Sequence, residues 1–86
     1  MPRLSAFYGI VIGMYHREHG VPHFHAVYAE HRASIAIDSL EILGGALPDR
    51  AYRLVTEWAE LHRDELMANW ERARARQPLE RIAPLS

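Results

Sequence analysis

The chain begins with an apolar segment that has the character of a β-strand. Residues 8–15 are almost entirely apolar or aromatic and include three consecutive β-branched side chains. Side chains alternate between the two faces of a strand, which here separates Ile10, Ile12 and Met14 from Val11 and Tyr15. Since both sets are largely apolar, the pattern predicts a strand that is buried on both sides.

Two further strands follow, at His23–Tyr28 and at Ala33–Asp38, with a tight connection between them. The loop before the first of these contains Gly20 and Pro22, which are typical of turns. The segment SLEIL, residues 39–43, predicts a short fourth strand or a bulged continuation of the third, and the glycine pair at 44–45 ends it.

The second half of the chain has the periodicity of an amphipathic helix. Pro48 and Asp49 suit the first helical turn. An N–H in this turn has no partner within the helix, so its absence from proline costs nothing, and the carboxylate of Asp49 complements the helix dipole. Apolar residues then recur at intervals of three and four: Ala51, Leu54, Val55, Trp58 and Leu61.

That apolar stripe does not continue in a straight line. Leu66, Met67 and Trp70 lie more than a quarter turn away from it at about 100° per residue. The helix therefore either wraps onto a second surface or breaks between His62 and Asp64, and Asp64 would serve as the N-cap of a second helix.

These elements predict an α+β fold, with a three- to four-stranded antiparallel sheet followed by one long or two shorter helices packed on one face. Residues 1–76 form a single domain in this prediction, and residues 77–86 form a loose C-terminal tail. One helical layer leaves the other sheet face free, which favours a homodimer or a complex with a protein partner.

Composition narrows the function classes. The 86 residues include no cysteine, so a metal ion would have to be held by histidine and carboxylate groups, and we expect a cytoplasmic protein. No segment approaches the length of a membrane span. The formal net charge of −1 argues against a broad nucleic-acid-binding surface. The arginines between positions 72 and 76 could still contact RNA or an acidic partner, or they could simply end a solvated helix.

The segment GVPHFHAVYAE, residues 20–30, carries the most specific chemistry. On a strand, His23 and His25 project side by side while Phe24 points to the other face. Two parallel imidazoles could bind a divalent metal ion, with a third ligand from the nearby polar residues His16, His19 or Glu30.

The same histidine pair allows two other interpretations. As an acid and base it would give a nuclease-like site, with Arg17 or Arg32 holding a phosphate and Tyr28 nearby. Alternatively, the histidines are polar groups on an exposed sheet face, and the chain is a module that binds another protein. The residues leave open whether the protein is an enzyme.

Three blocks together resemble a known family: MPRLSAFYGIVIGMY, VPHFHAVYAE and LPDRAYRLVTEWAELHRDELMANWERAR. The chain resembles, over about residues 1 to 76, the uncharacterised prokaryotic domain of unknown function 4160. Many members have a second proline where this chain has Val21. The resemblance implies a small protein that acts with a partner encoded beside it, in a toxin–antitoxin-like pair, and it implies no catalytic residue. We therefore expect a protein-interaction module, with a histidine-dependent ribonuclease toxin and a His-x-His metal-binding protein as alternatives.

Overall fold

A computed structural model describes residues 1–16 and 18–86 and has an α+β architecture, with a five-stranded antiparallel sheet followed by two helices. Each strand pairs with the next one in sequence, so that β3 is the central strand. The elements are β1 Arg3–Phe7, β2 Ile10–Gly13, β3 His23–Tyr28, β4 His31–Ala36, β5 Ile42–Gly45, α1 Asp49–Leu61 and α2 Arg63–Arg74. The α+β class is confirmed, whereas three to four strands is too few.

The extra strand is β1, which lies before the first predicted strand, residues 8–15, and forms a hairpin with β2. Phe7 pairs with Ile10, and the two residues between them, Tyr8 and Gly9, both have positive φ angles, of 50° and 80°. Two-residue hairpin turns of this kind match the right-handed twist of the strands. Arg3 and Ser5 interrupt the apolar side chains of residues 3–7, so no strand was predicted there, and Tyr8 and Gly9 of the predicted strand form the turn instead.

The first helix covers one face of the sheet and forms the core with it. Trp58 of α1 is fully buried, with its ring 5.3 Å from that of Phe7 and 6.1 Å from that of Phe24. Ile10, Ile12 and Met14 are buried in the same core, but Tyr15 is exposed, so the prediction that this segment is buried on both sides was wrong.

The helical region consists of two helices that meet at His62. The sequence left one long helix and two shorter helices both open, and the structure has two. The N-cap of α2 is His62 rather than Asp64, which lies in the first turn, where its charge complements the helix dipole. Leu61, predicted to belong to the apolar stripe, is 70% exposed because the chain changes direction directly after it.

Residues 77–86 contain no helix or strand, but they are packed against the domain. Ile82 is buried, and its N–H donates a hydrogen bond to the Leu4 carbonyl at 2.8 Å. The buried Asn69 side chain both donates to the Glu80 carbonyl and accepts from the Glu80 N–H, at 3.0 and 2.8 Å. These contacts make the segment part of the folded structure rather than a loose extension.

Within the part of the chain that the structure describes, neither helix is long and apolar enough to cross a lipid bilayer.

Candidate functional site

The central strand presents two histidines on the face opposite the core. In the β3–β4 register, His25 pairs with Ser34, and Phe24 pairs with the buried Ile35. The rings of His23 and His25 are 5.2 Å apart, nearly perpendicular to each other. The alternation along β3 therefore places the pair as the sequence predicts, side by side and away from Phe24.

A glutamate from the connection between β2 and β3 joins the two imidazoles. The Oε1 atom of Glu18 lies 2.6 Å from Nε2 of His25, and its Oε2 atom lies 3.4 Å from Nε2 of His23. All three ligand atoms lie within 4.8 Å of one another. We call these three residues the histidine–glutamate cluster.

The far nitrogen of each imidazole is also engaged. Nδ1 of His23 lies 2.8 Å from the Val21 carbonyl oxygen, and Nδ1 of His25 lies 3.3 Å from Oγ of Ser34. A carbonyl oxygen only accepts hydrogen bonds, so the first contact requires the proton of His23 on Nδ1. Both rings are thus held in fixed orientations by groups outside the cluster.

The contact of His23 with Val21 leaves two acceptor atoms facing each other inside the cluster. With its proton on Nδ1, a neutral His23 directs the lone pair of Nε2 at a carboxylate oxygen of Glu18. Two acceptors facing each other repel unless a cation lies between them. A metal ion bound by all three residues would supply that cation.

Aromatic side chains shield the cluster from solvent. Trp70 of α2 lies against His23, with 5.1 Å between ring centroids, and His23 is only 8% exposed. Tyr15 contacts the His25 ring edge to face at 4.9 Å. His23 is therefore buried rather than fully exposed on the open face, because the second helix passes over the end of the sheet where β3 begins.

The other predicted metal ligands do not join this cluster. His16 directs Nε2 at the Gln77 carbonyl, 3.2 Å away, and His19 lines a neighbouring cleft. Glu30 lies beyond the far end of β3, where it contacts His31 at 3.6 Å.

The predicted substrate-contacting residues are dispersed. Tyr28 packs against the core and so lies on the opposite side of the sheet from the histidine pair. Arg32 pairs with Val27, two positions along β3 from His25 on the open side. Arg17 lies outside the described residues.

Sequence reasoning missed Glu18 as a member of the site. It lies in an irregular connection, where no periodicity indicates which way a side chain points. The only available signal was its position five residues before His23, in a loop short enough to fold back over the adjoining strand.

Comparison with known proteins identifies the family but no activity. No curated protein and no solved structure matches the chain significantly. A match to the domain of unknown function DUF4160 extends over residues 9–71 and includes the whole histidine–glutamate cluster. The chain belongs to this DUF4160 family.

Proposed function

We propose that the protein binds a divalent transition-metal ion through Nε2 of His23, Nε2 of His25 and a carboxylate oxygen of Glu18. The observation that carries this proposal is the convergence of these three ligand atoms within 4.8 Å. Two imidazoles and one carboxylate form a ligand set used for Zn²⁺ and, in other enzymes, for Fe²⁺.

The surroundings of the cluster support the same function. In metal sites, a ligating histidine commonly uses its second ring nitrogen for a hydrogen bond that fixes its orientation. Val21 and Ser34 supply these contacts here. The metal ion would also replace the repulsion between His23 and Glu18 by an attraction of both to a common charge.

Only a small rearrangement is needed for binding. Ligand atoms around a tetrahedral Zn²⁺ lie about 3.3 Å apart, given metal–ligand bonds of about 2.0 Å. Glu18 and His25 are closer than this, at 2.6 Å, and the loop position of Glu18 lets its carboxylate withdraw. Three protein ligands leave a fourth position for water or another ligand.

Equilibrium dialysis of the untagged protein against Zn²⁺, Ni²⁺ and Mn²⁺ tests the proposal. We expect one ion per chain, with Mn²⁺ bound most weakly, as the usual order of divalent affinities predicts. The His25→Ala and Glu18→Gln substitutions should each weaken binding by at least about tenfold, the range measured when the metal environment of such sites is disturbed.

His31→Ala is the matched control, because this half-buried histidine also lies beside a carboxylate but, among the residues that the structure describes, belongs to no three-ligand cluster. It should bind the metal as the unmodified protein does. The absence of stoichiometric uptake by the unmodified protein, or equal uptake by the Glu18 and His25 variants, would contradict the proposal.

A second candidate function, association with a protein partner, is supported by the open sheet face. Val11 and Val27 are only partly covered there, and Tyr15 and Val21 are exposed, the latter by 55%. An apolar surface of this kind favours protein contacts.

We propose, from the family resemblance, that the partner is encoded by the neighbouring gene. Co-purification should recover the complex, and Val27→Asp should abolish it while the histidine–glutamate cluster still binds metal.

The nuclease hypothesis rests on less support. The 2.6 Å contact between Glu18 and His25 would suit a base oriented by a carboxylate, but Tyr28 lies on the other sheet face. If the protein is a ribonuclease toxin, its induced expression should arrest growth and degrade total RNA, and His25→Ala should relieve both effects.

A further inference from the structure

A cleft of about 300 Å³ opens beside the histidine–glutamate cluster. It is lined by Glu18, His19, Arg74 and Arg76, and so combines the loop before β3 with the end of α2. Glu18 belongs both to the cluster and to the cleft wall. A ligand in the cleft would therefore lie next to a metal ion held by the cluster.

The two arginines of the cleft are available for an anion. Arg74 forms one ion pair, with Glu71 at 3.4 Å, in which both side chains are more than 60% exposed and the attraction is correspondingly weak. Among the described residues, no carboxylate forms an ion pair with Arg76. Two guanidinium groups in one cleft form a site of positive charge with planar donors suited to phosphate.

The backbone of Arg76 is unusual for a residue with a side chain. It has a φ of 60° just after α2, and the N–H of Gln77 returns to the Arg72 carbonyl at 2.8 Å. Glycine is the residue favoured in this left-handed position at a helix end. Arg76 adopts this conformation with a side chain in place of glycine, as Tyr8, Ala29 and Leu40 do elsewhere in the chain.

The segment after α2 is also tied to the loop that carries Glu18. Nε2 of His16 lies 3.2 Å from the Gln77 carbonyl, which makes the imidazole the donor. This contact joins the two chain segments that form the opposite sides of the cleft. The arginines and the metal cluster are thus parts of one local structure.

We infer that this cleft binds the phosphate group of a small ligand between the metal ion and the guanidinium groups of Arg74 and Arg76. The inference rests on the proposed metal site, which supplies an open coordination position for a phosphate oxygen. A divalent ion and two arginines together neutralise a phosphate dianion, as in many sites that recognise phosphate. Both arginines lie outside the region matched to the family, which ends at residue 71.

The size and charge of the surroundings favour a small ligand over a nucleic acid. A cleft of about 300 Å³ is at the lower end of the range for small-molecule sites. The chain carries a formal net charge of −1, which does not provide the extended positive surface that tracks a nucleic-acid backbone.

Two other clefts of the described structure lack this combination. A smaller one, of about 120 Å³, lies between α2 and the C-terminal segment, and its Asn69 and Glu80 are already hydrogen-bonded to each other. A third is lined by Arg50, Arg53, Leu54 and Glu57 on α1, away from the histidine–glutamate cluster.

Titration with Co²⁺ and then with phosphate tests the metal site and the phosphate site separately. Bound Co²⁺ gives visible absorption bands that report its ligands, so a first titration with Co²⁺ measures the metal site alone. Inorganic phosphate is then added to the Co²⁺-loaded protein, and we expect a saturable change in the bands at millimolar phosphate or below. Phenyl phosphate, titrated in parallel, distinguishes a phosphate ester from free phosphate as the preferred ligand by its relative affinity.

The Arg76→Gly variant tests the arginine assignment. It should retain the cobalt bands and weaken phosphate binding about tenfold, because a charge-assisted contact is lost. Its thermal stability should be unchanged or higher, since glycine suits the left-handed position, and this separates loss of ligand binding from loss of folding. Arg74→Gln should weaken phosphate binding similarly. Arg53→Gln, which removes the same charge from the α1 cleft, is the matched control and should bind phosphate like the unmodified protein.

Failure of the metal site and failure of the phosphate site would give different results. If Co²⁺ is not bound, both the proposed metal function and this inference are wrong. If Co²⁺ is bound but phosphate leaves the bands unchanged, or if the Arg74 and Arg76 variants bind phosphate as tightly as the unmodified protein, the metal function stands and the phosphate inference is overturned.

Discussion

The two faces of the central strand carry different kinds of side chain and are held by different forces. On the covered face, Phe24 is fully buried and packs against Trp58. On the open face, His23 and His25 make hydrogen bonds and a contact with Glu18. One six-residue strand thus contributes to the hydrophobic core and to the candidate site through alternate positions.

In a domain of this size, the residues that stabilise the fold and the residues of the candidate site can lie on opposite faces of one strand. Small domains bury a limited share of their surface, so nearly every apolar contact on the covered face matters for folding. The polar groups on the open face make only modest net contributions, because folding exchanges their bonds to water for bonds within the protein. Side chains on the open face can therefore be specialised for binding without great cost to the fold.

Truncation of the covered face should have the largest effect. Phe24→Ala should lower the free energy of unfolding by about 3–5 kcal/mol, through lost burial and a cavity beneath Trp58. That is much of the roughly 5–15 kcal/mol available to a small domain. Urea denaturation measures it, and Val27→Ala, on the open face of the same strand, is the control. Equal losses for both variants would remove the distinction between the faces.

Detaching the C-terminal segment, residues 77–86, should have an intermediate effect. Asn69→Ala removes the two hydrogen bonds that this buried side chain makes with the Glu80 backbone, and should cost about 1–3 kcal/mol at roughly 0.5–1.5 kcal/mol per bond. Cleavage by trypsin after Arg81 should accelerate as the C-terminal segment detaches. Glu71→Gln, on the exposed side of the same helix, should change neither quantity. A segment that remains equally resistant to trypsin in the Asn69 variant would mean that other contacts hold it.

Truncation of the open face should have the smallest effect on folding. His25→Ala removes the 2.6 Å contact with Glu18 and should change the free energy of unfolding of the metal-free protein by about 1 kcal/mol or less. Thermal melts with and without Zn²⁺ check this. The unmodified protein should be stabilised by the ion, because the ion binds only the folded state, and the variant should not be. A large loss in the metal-free variant would show that the histidine pair is chiefly structural.

Features that depend on residues close together in the chain were predicted from the sequence, whereas features that depend on contacts between distant residues were not. Alternation along β3 was sufficient to predict that His23 and His25 share a face, because the period of a strand is a local property. The shift of the apolar stripe near His62 similarly indicated a bend or a break there, and the structure has a break. The hairpin at Tyr8–Gly9 was missed because Arg3 and Ser5 interrupt the apolar pattern of β1, and the two turn residues were included in the strand that follows.

The sequence by itself determined the α+β class, the projection of two imidazoles from one face of a strand and the displacement of the apolar stripe after His62, all of which arise from periodicity within a few turns or strand positions. Only the tertiary structure decided that Glu18 completes the cluster, that Trp70 covers His23, and that Ile82 joins the core. The physical reason is that the first two depend on how an irregular loop and a second helix fold over the sheet, and the third on a segment without periodicity. Their positions are fixed by packing between residues distant in the chain, which no local pattern records.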